Sequence, residues 1–172
     1  MDFVQHSIAW AEGEVFEATL TAAVGVFTVA TGLLFWRFGE TPNAKALLIP
    51  LVLVGLLFTA AGASGVVSNK ARVHAFQQAG DADPSGFVDA EQARVEGFGP
   101  LFTFTLILAP VCFAGATALF YLSESPHARA TAIALVIVGL GGLVIDYFAK
   151  ERADTYYAHI LAEQARRAGP GG

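Results

Sequence analysis

Charge is scarce in this chain, and four long stretches carry none at all. Charged residues make up 15% of the 172 residues, whereas a soluble domain has about 25%. The uncharged stretches are 18–36, 46–69, 97–122 and 130–145. Each is close to the roughly 20 apolar residues that a helix needs to cross a bilayer. Four segments are too few to close a barrel, and lipid offers no partner to exposed backbone groups, so we predict membrane-spanning helices.

The chain also lacks the residues that several kinds of chemistry require. Its single cysteine, Cys112, excludes an internal disulfide, and its net charge of −5 speaks against a nucleic-acid partner. There is no G-x-S-x-G nucleophile motif, and neither His74 nor His159 follows a glutamate at the Glu-x-x-His spacing of di-iron bundles, while His127 lies in a predicted turn. Common hydrolase and di-iron chemistries are therefore disfavoured.

What the chain does contain is a near repeat. Residues 40–55 read ETPNAKALLIPLVLVG, and 84 residues further on 124–139 read ESPHARATAIALVIVG. We predict a tandem-duplicated helical hairpin, with repeat 1 at about 2–79 and repeat 2 at about 86–167. Two spans return the chain to its starting side, so the copies would be related by a pseudo-twofold axis along the membrane normal.

Prolines preceded by capping residues predict the helix starts. Proline suits the first helical position, and a preceding Thr, Asp or Ser caps the free backbone donors, as in Thr41-Pro42, Asp83-Pro84 and Ser125-Pro126. The predicted helices are 4–38, 42–79, 84–122 and 126–167, with membrane spans at about 18–37, 46–68, 100–122 and 130–149. Together they form one four-helix membrane domain, 1–168, followed by a flexible tail, 169–172.

The predicted helices are longer than a membrane is thick. A helix of 38 residues extends roughly 57 Å, whereas the hydrocarbon core takes about 30 Å. Only tight turns lie on one side, so the surplus must protrude on the other side as an extension. The extension carries more Lys and Arg than the turn side does, which predicts that both termini are cytoplasmic.

Small and hydroxylated residues form a stripe along each span, and such stripes let membrane helices approach closely. They are therefore predicted to face the bundle interior. The stripes contain Thr21, Gly25, Thr28 and Gly32; Gly55, Thr59, Gly62 and Asn69; Thr105, Ala109, Cys112 and Ala116; and Gly139, Gly142 and Asp146.

Polar residues follow these stripes where the bundle leaves the membrane, and we refer to them as the collar. The collar comprises Glu14, Glu17, Asn69, Arg72, Arg94, Glu96, Asp146 and Lys150. In a structural interpretation its charges neutralise one another. In a functional interpretation Arg72 and Arg94 hold an anion, or the carboxylates hold a metal. His6, His74 and His159 are further candidate metal ligands.

The sequence thus predicts an all-α integral membrane four-helix bundle whose helices extend beyond the membrane on one side. The predicted function is that of a non-enzymatic subunit, an adaptor or a ligand- or lipid-binding module that uses the collar. The alternative is a small membrane enzyme or transporter with a metal- or anion-binding site there. The expected partners are the lipid bilayer and a membrane protein or a second copy of this chain, and the sequence identifies no cofactor.

Overall fold

The computed structural model describes residues 3–169, and within that range the chain forms helices and no strand. The helices are α1 (Phe3–Phe38), α2 (Pro42–Ala46), α3 (Leu48–Ala82), α4 (Pro84–Glu96), α5 (Gly99–Leu122) and α6 (Pro126–Ala168). Because α3 continues α2 and α5 continues α4, they make four long rods. All four are long and apolar enough to cross a membrane. The all-α four-helix fold is confirmed, and length and composition make the chain a multi-pass membrane protein. Of the predicted tail, 170–172 lies outside the described residues.

The helix starts lie at the predicted prolines. The Thr41 side chain accepts a hydrogen bond from the Ala44 amide at 3.1 Å, and Asp83 accepts one from the Gly86 amide at 3.0 Å. The third predicted cap is wrong, because the Ser125 side chain makes no capping bond. The local hydrogen bond there runs instead from the Ser125 amide to the hydroxyl of Ser123, at 3.2 Å.

Two of the rods are interrupted where continuous helices were predicted. The breaks lie at Leu47 and at Gly97–Phe98, in each case about three residues before a proline, Pro50 or Pro100. A proline inside a helix removes one backbone donor and its ring collides with the carbonyl four residues earlier. The preceding turn tightens in response, as shown by the bond from the Phe98 amide to a carbonyl three residues back.

The first hairpin is held by close approach of its two backbones. A Cβ atom added at Gly25 would lie 2.4 Å from the Thr59 amide nitrogen, and one added at Gly62 would lie 2.4 Å from that of Ala22. Only glycine allows α1 and α3 to come this near. The buried positions of their membrane-spanning parts include the predicted inner residues Gly25, Thr28, Gly32, Gly55 and Gly62.

The second hairpin pairs α5 with α6, and α5 packs chiefly against α6. The buried residues of α5 are Ala109, Cys112 and Ala116. Each lies 84 positions after one of the three buried residues in the spanning part of α1, Gly25, Thr28 and Gly32. This shared burial pattern supports the predicted duplication, which stays a prediction.

The extension has a hydrophobic core of its own. Side chains from α1, α3, α4 and α6 form it: Phe3, Trp10, Ala11, Phe76, Phe87, Val88, Val95, Tyr156 and Ile160. Its aromatic rings pack directly, with Trp10 stacked on Tyr156 at 5.3 Å and Phe3 edge-on to Phe87 at 5.6 Å between centroids. Burying each such ring contributes about 1.5–3 kcal/mol, so the extension is a packed four-helix bundle.

We expect Gly62→Ala to lower the free energy of unfolding by about 1–3 kcal/mol, because its methyl group would overlap backbone atoms of α1 that cannot move aside. Gly115→Ala is the matched control at membrane depth. Its Cβ would meet only the end of the Leu135 side chain, at 3.4 Å, so a change within about 0.5 kcal/mol is expected. Thermal unfolding in a mild detergent measures both, and equal losses would contradict the close approach.

Candidate functional site

The predicted collar residues do not form one ring. The structure distributes them over three places: an ion-pair cluster between α1 and α6, a polar network inside the extension, and a groove beside α5 and α6. Glu14 and Glu17 belong to the cluster, and Arg94 to the network, with Asn69 and Arg72 beside it. Glu96, Asp146 and Lys150 line the groove.

The cluster is built around Arg152, a residue outside the predicted collar. Its Nε and Nη2 donate to Oε1 of Glu14 at 3.1 and 2.9 Å, and Nη2 also donates to Glu17. Burial alone would lower the pKa of Arg152, but these hydrogen bonds outweigh it and raise that pKa above its ordinary value. Burial raises the pKa of Glu17, opposed by Arg152. A cavity of about 160 Å³ adjoins both carboxylates.

Lys150, a residue of the predicted collar, does not belong to this cluster. Two residues along a helix turn a side chain by about 200°, so Lys150 and Arg152 cannot face the same neighbour. Lys150 pairs instead with Asp154 at 2.6 Å, and the two side chains are 57% and 67% exposed. The sequence contained this signal, because a Lys and an Asp four residues apart share one helix face.

The network inside the extension centres on Glu91, which sequence reasoning missed. Only 5% of Glu91 is exposed, and Arg94 donates to its carboxylate through both Nε and Nη2. The Tyr156 hydroxyl donates to the same carboxylate at 2.8 Å and lies 2.7 Å from the hydroxyl of Ser7. Burial raises the pKa of Tyr156 above its ordinary range. Three helices are thereby linked through buried polar groups.

Aromatic rings surround the Arg94 guanidinium. Its Cζ atom lies 4.4 Å from the centre of the Trp10 ring and 5.4 Å from that of Phe98. Arg72 lies 5.9 Å from the same Trp10 ring and donates to Asn69 at 2.6 Å. Burial and the nearby positive charge of Arg94 lower the pKa of Arg72. Since Arg94 is already paired with Glu91, this arrangement favours a structural role over anion binding.

The groove is the largest of these features. It has a volume of about 870 Å³ and lies between the α4–α5 junction and α6. Phe102, Leu106 and Leu143 line its part along the predicted spans, whereas Ala153 and Tyr157 line its part in the extension. A Cβ atom at Gly99 would meet nothing within 4 Å, so the groove is open in front of this residue. The groove therefore crosses the predicted membrane boundary, and we call it the boundary groove.

Two of the three candidate histidine ligands meet. The rings of His6 and His159 stack with centroids 4.2 Å apart, and both line a cavity of about 310 Å³. His74 is exposed on α3. Among residues 3–169, no three His, Cys, Asp or Glu side chains form a group suited to a metal ion. Two stacked rings alone do not make a metal centre.

The fold, together with the length and apolar composition of its helices, defines the chain as a four-helix, multi-pass membrane protein. No protein-family model, curated protein or solved structure matches it significantly.

We expect Arg152→Met to lower the free energy of unfolding by about 1–3 kcal/mol, since it leaves two half-buried carboxylates facing each other without a cation. Lys150→Met removes a charge two residues away from an exposed pair and should cost less than about 1 kcal/mol. Thermal unfolding in detergent distinguishes them. A larger loss for Lys150→Met would contradict the assignment of Arg152 as the cation that stabilises these carboxylates.

The stacked histidines predict a fall in stability at mildly acidic pH. Burial and the charge of His159 lower the pKa of His6 below its ordinary value of 6.5. The folded state thus takes up a proton less readily than the unfolded state, so stability declines as the pH falls below 6.5 and levels off below the folded-state pKa. Unfolding curves between pH 8 and 5 test this. His6→Gln should reduce this loss of stability at low pH, whereas the exposed control His74→Gln should leave the loss unchanged. If the wild type and both variants lose stability equally, the stacked histidines are not the cause.

Proposed function

We propose that this protein is a non-enzymatic membrane protein that binds a lipid-like amphiphile in the boundary groove. The observation that carries the proposal is the groove itself. Its volume of about 870 Å³ falls within the roughly 300–1,000 Å³ typical of small-molecule sites. Its position at the predicted membrane boundary places it where an amphiphile has both its chain and its head group.

The walls of the groove fit such a molecule. The span-facing part is apolar through Phe102, Leu106 and Leu143, which suits an alkyl chain. The part towards the extension carries polar groups, among them Glu96 and Lys150, which suit a head group. The apolar part of the groove thus lies at the level of the hydrocarbon core, and its polar part lies at the level of the lipid head groups.

The alternative of an enzyme or transporter that uses the collar has less support. Of the two cations it would need, Arg94 is paired with Glu91, and Arg72 donates to Asn69 and lies against the Trp10 ring. A protein partner or a second copy of this chain is a different occupant of the same groove. The experiment below separates these occupants from a lipid.

We further propose that the extension lies in the cytoplasm. Support comes from the distribution of cations, since Lys70, Arg72, Arg94, Lys150, Arg152, Arg166 and Arg167 are in the extension or at its edge, against Arg37, Lys45 and Arg129 on the turn side. Positively charged residues accumulate on the cytoplasmic side of membrane proteins.

Filling the groove should release the lipid. In native mass spectrometry of protein extracted from membranes, we expect the wild type to retain about one lipid per chain and Leu106→Trp to retain about tenfold less, because the larger ring occupies the chain-binding wall. The matched control is Leu53→Trp, on α3. Leu53 and Leu106 are 63% and 65% exposed, and Leu53 does not line the groove.

Three outcomes have a clear meaning. Lipid loss in Leu106→Trp alone, with both variants melting like the wild type, supports the proposal. Equal lipid retention by all three proteins contradicts it. A stoichiometric protein bound in place of lipid, and lost in Leu106→Trp, would overturn the lipid proposal in favour of a subunit or adaptor.

A further inference from the structure

The boundary groove has more negative than positive charge at its polar end. Three carboxylates line it, Glu96, Asp146 and Asp154, together with one amine, Lys150. Lys150 is paired with Asp154 at 2.6 Å, so these two charges neutralise each other. Glu96 and Asp146 form no ion pair with any residue in the described range. Two carboxylates at the edge of an apolar groove thus have no cation of their own.

Glu96 is held in place by neutral donors. Its Oε1 accepts a hydrogen bond from Nε2 of Gln92 and another from the hydroxyl of Tyr157, both at 2.8 Å. These two bonds lower the pKa of Glu96, so the carboxylate is ionised at neutral pH. Neutral donors fix its direction without cancelling its charge.

Asp146 lies deeper, at the end of the apolar run of α6. It is half-buried and faces the hydroxyl of Thr105 on α5. The nearby carboxylate of Glu17 is paired with Arg152, whereas no Lys or Arg among residues 3–169 forms an ion pair with Asp146. A carboxylate at membrane depth is usually paired or functional, so a missing partner points to a cation supplied from outside the chain.

Aromatic side chains add a second attraction for a cation. Tyr147, Phe148, Tyr157 and Phe102 line the same groove. The faces of aromatic rings attract ammonium groups, and quaternary ammonium head groups are often recognised in this way. An anionic head group would instead meet two like charges at this end of the groove.

We infer that the boundary groove selects a membrane amphiphile whose head group is positively charged, an alkylammonium lipid, with its chain along Leu106 and Leu143 and its head between Glu96 and Asp146. This inference rests on the proposed lipid-binding function. It adds to that function the charge of the ligand.

The test uses three lipids with identical acyl chains and different head groups. They carry a trimethylammonium group, a phosphocholine group or a phosphoglycerol group, and are supplied in equal amounts in nanodiscs with the full chain. Native mass spectrometry then counts each lipid that stays bound. We expect retention in the order cationic, zwitterionic, anionic, with about a tenfold preference for the cationic lipid over the anionic one.

Variants locate the origin of the preference. Glu96→Gln/Asp146→Asn should reduce it to less than about twofold while some lipid of any head group stays bound, because the apolar walls are unchanged. Glu12→Gln/Asp81→Asn is the control. It removes the same net charge from exposed positions of the extension, outside the groove, and should keep the preference. Glu96→Gln and Asp146→Asn are also measured singly, in case the double variant does not fold.

The outcomes separate this inference from the proposed function. Equal retention of the three lipids, a preference for the anionic lipid, or a cationic preference that survives in the groove variants would overturn the charge inference and leave lipid binding standing. If the wild type retained none of the three lipids, both would fail. A cationic preference lost only in the groove variants supports both.

Discussion

Each helix of this protein passes from lipid into water, and that change of solvent decides what holds it to its neighbours. In lipid, an apolar side chain gains little by turning inward, so the helices must touch through close backbone packing. Glycines at positions 25, 55 and 62 let α1 and α3 meet in this way. Beyond the membrane boundary water surrounds the helices, and burial of aromatic rings such as Trp10 and Phe87 becomes favourable. One set of rods therefore uses two kinds of packing.

Polar side chains gather near the level where the two kinds of packing meet, and most of them are satisfied within the protein. Arg152 bridges Glu14 and Glu17, and Arg94 is bound to Glu91 under a cover of aromatic rings. Such pairs link helices in one geometry, because a half-buried charge without its partner is costly. Glu96 and Asp146 differ, since neither forms an ion pair within residues 3–169 and both line the boundary groove. That contrast separates the part of the collar that supports the fold from the part that is available to a ligand.

The groove follows from the unequal packing of the two hairpins. α1 and α3 are in close backbone contact, whereas α5 is attached chiefly to α6. The chain is also interrupted at Gly97–Phe98, beside the groove wall. The duplicated hairpin predicted from the sequence would give two similar halves, but these differences leave only the second half with a groove of this size among the cavities described.

Much of this structure was predictable because it depends on local rules. Uncharged runs predicted the four rods, prolines after capping residues predicted where three of them begin, and stripes of small residues predicted the inner faces. The breaks before Pro50 and Pro100 also obey a local rule, although continuous helices were predicted there. Each of these features depends on residues within a few positions of one another along the chain.

The partners of the charged residues were not predictable in the same way. Counting residues gives the depth of a side chain but leaves its direction around the helix and the rotation of the neighbouring helix undetermined. Lys150 and Arg152 stand at nearly one depth and point about 200° apart, and only the second reaches Glu17. Glu91 was missed because the Tyr156 hydroxyl that donates to it lies 65 positions further along the chain. The sequence by itself determined the number of long rods, the starts of three of them and their inner faces, because these follow from local chemistry. Only the tertiary structure decided which charges are paired and which remain open to a ligand, because that depends on how separate helices are rotated against each other.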